Sequence, residues 1–177
     1  MQQLPDLSRI LHHIRWALVG AIALRAYAPE RLTQDVDIII HARDEQVARA
    51  AFTAAGYRID NPLPISRFTA HSQDETGYSI DVLASNEPWL DETLAQPVYD
   101  CAGFPVLARQ FLILMKLQAG RAQDIADITR LLRRTDHTER SIARTTVATY
   151  APDLIDDFDA LVVLTDLEFG TGSSAAT

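Results

Sequence analysis

As far as residue 107, short apolar runs broken by turn residues alternate with stretches of helical character; beyond it helical spacing prevails. Leu7 to Ile14 predicts a short amphipathic helix over one sheet edge. Ala17-Leu18-Val19 is a brief apolar run that stops at Gly20, and Ala21 to Tyr27 then has strong helix propensity ahead of Pro29. Val36, Ile38, Ile39 and Ile40 predict a buried strand that begins at Asp35. Glu45 to Gly56 reads as an Ala-rich helix closed by Gly56. Pro62-Leu63-Pro64 marks a turn, and Arg67 to His71 with Tyr78 to Leu83 reads as a hairpin around Asp74-Glu75-Thr76-Gly77. An extended piece near Val106 precedes a helix from Arg109 to Ala119, a break at Gly120 and a helix from Ala122 to Arg134. Asp136, three residues before Glu139, has the spacing of a helix start, so a third helix runs to Tyr150 and Pro152 opens another through Leu167. The expected organisation is a mixed α/β core over 1–107, a helical C-terminal part over 108–169 and a small, polar, disordered tail over 170–177. No internal repeat is present.

Within the strand that starts at Asp35, alternation puts Asp35 and Asp37 on one face, about 7 Å apart. Like charges that close repel, and a divalent cation with a taste for oxygen ligands, such as Mg²⁺ or Mn²⁺, would resolve the conflict. A solvated strand end is the plainer alternative. Tyr78 to Leu83 carries Asp81 in its middle, and a buried strand seldom carries an unpaired acid. Beside Asp35 and Asp37 it would complete a three-carboxylate set able to hold metal and orient a nucleoside triphosphate; otherwise it is an aspartate fixed by backbone donors. The turn at Gly20 and Ala21, between a strand and a predicted helix start, would offer backbone N–H groups to phosphate, or is an ordinary tight turn. Arg31 can pair with a carboxylate or phosphate, and Thr33 can cap locally.

Composition narrows the setting. The chain has 177 residues, 47% of them hydrophobic and 23% charged, which are globular values. A net charge of -8 disfavours broad nonspecific binding to nucleic acid. Arg130, Arg133, Arg134, Arg140 and Arg144 form a local basic run that reads as a solvated helix surface. The single Cys101 fits a reducing compartment, and with no apolar span and no basic leader the expectation is a cytoplasmic protein with no membrane association. None of the five histidines pairs with Cys101 in a zinc pattern.

The order Gly20-Ala21-x-Ala23, Arg31-x-Thr33-x-Asp35-x-Asp37 and the isolated Asp81 resembles the nucleotidyltransferase (polymerase-beta-like) superfamily. Lys116-Leu117-x-Ala119-x-Arg121-x-x-Asp124-x-x-Asp127 resembles a helical element of bacterial nucleotidyltransferase-like proteins, including relatives of AbiEii-type toxins. The resemblance spans residues 15–135. It implies a small mixed sheet flanked by helices, with a C-terminal helical part. It also implies transfer of a nucleoside monophosphate from an NTP to RNA, protein or a small molecule, in a setting that includes toxin–antitoxin pairs with a cognate partner. On this reading Asp35, Asp37 and Asp81 bind Mg²⁺ or Mn²⁺ and carry catalysis; Gly20, Ala21, Arg31, Thr33, Lys116 and Asp124 bind nucleotide, with Asp127 in support. Lys116 has a second reading, a cation snorkelling from an apolar helix, and Arg121 with Asp124 has one as an internal ion pair. The turn departs from the family pattern, because Gly20-Ala21-Ile22 holds no hydroxyl where many relatives have one, a place the resemblance gives to Ile22. A catalytically silent nucleotide- or protein-binding module of the same fold is therefore the competing expectation.

Overall fold

The computed structural model describes residues 5–28, 35–60, 67–73 and 78–170, and these fall into two units. The first, residues 5–26 with 35–107, is built on a seven-stranded mixed sheet of order β3-β4-β5-β2-β1-β7-β6. Its strands are β1 (Trp16–Leu18), β2 (Asp35–His41), β3 (Arg58–Asp60), β4 (Arg67–His71), β5 (Ser79–Ser85), β6 (Val98–Tyr99) and β7 (Pro105–Val106). Its helices are α1 (Leu7–Ile10), α2 (Glu45–Ala54) and α3 (Leu90–Ala95). β2 and β5 run parallel at the sheet centre, β1 lies antiparallel to β2, and β4 lies antiparallel to β5.

Alternation divides the central strands into two unlike faces. Val36, Ile38 and Ile40 of β2 share one face with Ile80, Val82 and Ala84 of β5 and Phe68 and Ala70 of β4, and all are buried. Helix α2 closes this face, with Phe52 edge-on to Phe68 at 6.1 Å between ring centroids. Burying each such ring contributes roughly 1.5–3 kcal/mol, so this side of the sheet is the anchor. The opposite face carries Asp35, Asp37, Ser79, Asp81, Thr69 and Arg67.

The second unit, residues 27–28 with 108–170, packs α4 (Arg109–Ala119), α5 (Ala122–Arg133), α6 (His137–Tyr150) and α7 (Ile155–Phe169) around Ile128, Leu131, Leu132, Val147 and Phe158. Gly120 takes a left-handed φ of 62° and its N–H closes on the Lys116 carbonyl, which ends α4 at the expected break. Asp136 and Glu139 form a reciprocal capping box at the start of α6. Among the described residues, no helix is long and apolar enough to cross a membrane.

Several expected elements are shorter or differ in kind. α1 ends at Ile10, and Leu11 to Ile14 is a turn closed by the Ile14 N–H on the Leu11 carbonyl. Ala21 to Tyr27 is no α-helix: a 3₁₀ turn over Ile22–Ala26 occupies the stretch. β3, α3 and β6 are elements the hydrophobic pattern does not announce. Pro62-Leu63-Pro64, Asp74 to Gly77 and the tail beyond Gly170 lie outside the described residues.

Candidate active site

Strand register brings the carboxylates together. Asp37 and Asp81 are direct partners across the parallel β2–β5 pair, and Asp35 lies two residues before Asp37 on the same face, opposite Ser79. Thr69 is the antiparallel partner of Asp81 and donates its hydroxyl to Oδ1 at 2.6 Å. Arg67, two residues away on β4, places Nη2 3.1 Å from Asp81 Oδ2 and 3.6 Å from Asp37 Oδ1. Asp37 and Asp81 are half-buried, so their charges keep some contact with water while sharing one guanidinium. Among the described residues, no three His, Cys, Asp or Glu side chains are gathered closely enough to hold a metal. The three acids share a face, with an arginine between two of them.

The glycine turn closes on this face from β1. Val19 N–H donates to the Asp37 carbonyl at 2.9 Å, and Gly20 follows with φ of 65°. A Cβ at Gly20 would lie 2.1 Å from Asp37 Oδ2. Only glycine allows the backbone to pass so near that carboxylate with this φ. The next residues diverge: Ala21 is half-buried, whereas Ile22 is only 3% exposed. Ile22 therefore belongs to the core, and Ala21 is the more accessible of the two positions. The turn leads into a short 3₁₀ segment, which lacks the aligned dipole of a long α-helix.

A buried ion pair fixes that turn. Arg25, at its end, donates Nε to Asp100 Oδ2 at 2.6 Å. Asp100 Oδ1 accepts from the backbone N–H groups of Ala102 and Phe104, both at 2.9 Å, in the turn between β6 and β7. Both side chains are almost wholly buried, so each charge depends on the other. Sequence reasoning missed Arg25, Asp100, Arg67 and Thr69. Asp100 had a signal, since Asp with Gly three residues later is a turn signature. Arg31 and Thr33 lie outside the described residues.

Lys116 and Asp124 belong to the helical unit. The Lys116 ammonium is buried and donates to Asp127 Oδ2 at 2.7 Å and to Asp124 Oδ1 at 3.4 Å. Asp124 also accepts from Arg121 Nε at 2.5 Å, and Arg130 lies 3.8 Å from Asp127. Burial pushes the Asp124 carboxyl up, but the Arg121 hydrogen bond and the Lys116 charge outweigh it and leave the group below its usual range. Lys116 thus does not snorkel; it joins α4 to α5 through two carboxylates.

No protein-family model matches the chain, and no curated protein does. Solved structures do. A lincosamide antibiotic adenylyltransferase, LnuA, in its lincomycin-bound crystal structure, is 16% identical with a TM-score of 0.54, over 76% of this chain and 100% of that one. The antibiotic-resistance factor ANT(2'')-Ia, from a solution structure, is 13% identical with a TM-score of 0.50, over 93% of this chain and 91% of that one. With its mixed sheet, its flanking helices and the Gly20 turn laid against the Asp37 strand, the chain has the fold of the nucleotidyltransferase superfamily.

Proposed function

We propose that this chain is a metal-dependent nucleotidyltransferase that moves a nucleoside monophosphate from an NTP to a hydroxyl of a small-molecule acceptor. The observation that supports it best is the pairing of Asp37 with Asp81 on one sheet face, with Gly20 pressed against Asp37. The donor set suits Mg²⁺ or Mn²⁺, because oxygens of Asp37 and Asp81 already face a common cation, the Arg67 guanidinium. Asp37 and Asp81 would hold the metal, with Asp35, two residues along the same face, as the third candidate ligand, and the metal when bound would neutralise charge at the reacting phosphate. Asp81, oriented by Thr69, takes the proton of the acceptor hydroxyl as its oxygen bonds to the α-phosphorus and pyrophosphate leaves. Backbone groups of Gly20 and Ala21 would face the phosphates, and the nucleotide role of Arg31 and Thr33 rests on the family resemblance. The nucleotide role that the resemblance implies for Lys116 and Asp124 competes with the pairing they make inside the helical unit.

A small-molecule acceptor is favoured by the neighbour solved with lincomycin bound. RNA, protein and a toxin–antitoxin partner are the alternatives. The experiment is transfer from each α-³²P-labelled NTP, with Mg²⁺, into lincosamides, other hydroxylated antibiotics, total RNA and total protein. Label in a small molecule that vanishes in Asp37→Asn is the expected result, and label confined to RNA or protein would replace the acceptor. A second reading, a silent nucleotide-binding module, draws on the absent turn hydroxyl and on Arg67 between the carboxylates. NTP binding by calorimetry with no transfer into any acceptor would establish it.

A further inference from the structure

Two carboxylates that should repel share one guanidinium, which lies within ion-pair distance of both. Arg67 Nη2 lies 3.1 Å from Asp81 and 3.6 Å from Asp37, and Thr69 holds the other Asp81 oxygen. Arg67 and Thr69 are alternate residues of β4, so both reach over the same face. The arginine side chain is 40% exposed and both aspartates 28%, which makes the contact breakable rather than locked. Arginine stays charged at any physiological pH, so this cation can be removed only by moving it. A divalent ion on Asp37 and Asp81 would meet that charge at close range, and the two cannot share the place.

We propose that Arg67 is a tethered counter-cation of this site. It neutralises Asp37 and Asp81 before metal enters, leaves them when metal binds, and then pairs with the phosphates that arrive with the metal. The inference rests on the metal-binding reading given under Proposed function. It predicts that bare metal binds weakly and that triphosphate binds well only with metal, because two phosphate oxygens give the released guanidinium a bidentate partner.

The test is titration with Mn²⁺ alone, followed by electron paramagnetic resonance, on the wild-type chain, Arg67→Gln, Arg67→Met and Arg67→Lys. Each is compared with and without Asp37→Asn, with folding checked by circular dichroism. Arg67→Gln and Arg67→Met should bind Mn²⁺ about three- to tenfold more tightly than wild type, and Arg67→Lys should stay near wild type. At saturating Mn²⁺, the affinity of Arg67→Gln for a nonhydrolysable triphosphate should fall by about threefold or more. If Arg67→Gln and Arg67→Met bind Mn²⁺ no more tightly while the wild type keeps Asp37-dependent binding, the counter-cation role is overturned and the metal site stands. An equal gain in Arg67→Lys, or an undiminished triphosphate affinity, overturns it as well. Absence of Asp37-dependent Mn²⁺ binding in every protein overturns both.

Discussion

A side chain at Gly20 would meet Asp37 Oδ2 at 2.1 Å, Cγ at 2.7 Å and Cβ at 2.9 Å. Swinging the carboxylate aside relieves the first two contacts but not the third, because that Cβ is fixed by the β2 backbone. The φ of 65° adds strain for any L-residue. Gly20→Ala should therefore lower stability by about 2 kcal/mol or more and displace Asp37, and with it any rise in melting temperature that Mn²⁺ produces. Calorimetric scans with and without Mn²⁺ check both; a variant that melts like wild type and keeps its Mn²⁺ response would show that the turn and Asp37 act independently. The adjacent positions separate packing from binding. Ile22→Ser should cost about 3 kcal/mol, since it removes a buried side chain and buries a hydroxyl. Ala21→Ser, at the half-buried position, should leave stability within about 0.5 kcal/mol. It should also strengthen NTP binding by up to about 1 kcal/mol, roughly fivefold. If Ala21→Ser leaves NTP affinity unchanged in calorimetry, the turn does not touch phosphate.

Helices α4 and α5 show what an element needs before its sequence gives it away. Both have long apolar periodicity and a glycine break between them, and both end within a residue of the expected bounds. β3 and β6 are two or three residues long and owe their existence to the strands they pair with, so no internal pattern marks them. The site divides in the same way. Asp37 and Asp81 stand out as acids inside apolar runs and Asp35 as the acid that heads one, whereas Arg67 and Thr69 gain meaning only from the β4–β5 register. Buried pairing on α4 and α5 was half legible: the spacing of Arg121 and Asp124 marks an i, i+3 pair, but the burial of Lys116 between two aspartates needs the packed helices. Lys116→Met should cost about 3–5 kcal/mol, since it leaves Asp127 with only a distant Arg130. Unchanged NTP affinity in the folded variant would remove Lys116 from nucleotide binding. Asp124 supplies a pH signature with a definite sign. Its folded-state pKa is depressed, so its contribution is complete above the unfolded value near 3.9 and fades as pH falls through the folded value. The melting-temperature gap between wild type and Asp124→Asn should accordingly be wide at neutral pH and close below about pH 4. A gap that persists in acid would mean that Asp124 contributes by shape rather than charge.

Over the whole molecule, charge bears on the acceptor. The chain carries a net charge of -8, and the sheet face with Asp35, Asp37 and Asp81 adds local negative potential. Within the basic run of the helical unit, Arg140 is paired with Asp166 and Arg144 with Asp159. A polyanion such as RNA would approach against that field, while a cationic or neutral hydroxylated molecule would not. The nucleotide meets the same repulsion but brings metal with it, which separates the donor problem from the acceptor problem. Among acceptors that are turned over, kcat/KM for a cationic compound should therefore fall more steeply with added KCl than for a neutral one of similar size. The screening length shrinks from about 10 Å at 0.1 M salt to about 3 Å at 1 M, so the two should converge at high salt. Measuring kcat/KM across that range, with NTP and Mg²⁺ saturating, isolates the acceptor term. A neutral acceptor with the same salt slope as a cationic one would mean that the field of this molecule does not select its acceptor. Efficient transfer into RNA at physiological salt would mean that a local basic surface outweighs the net charge.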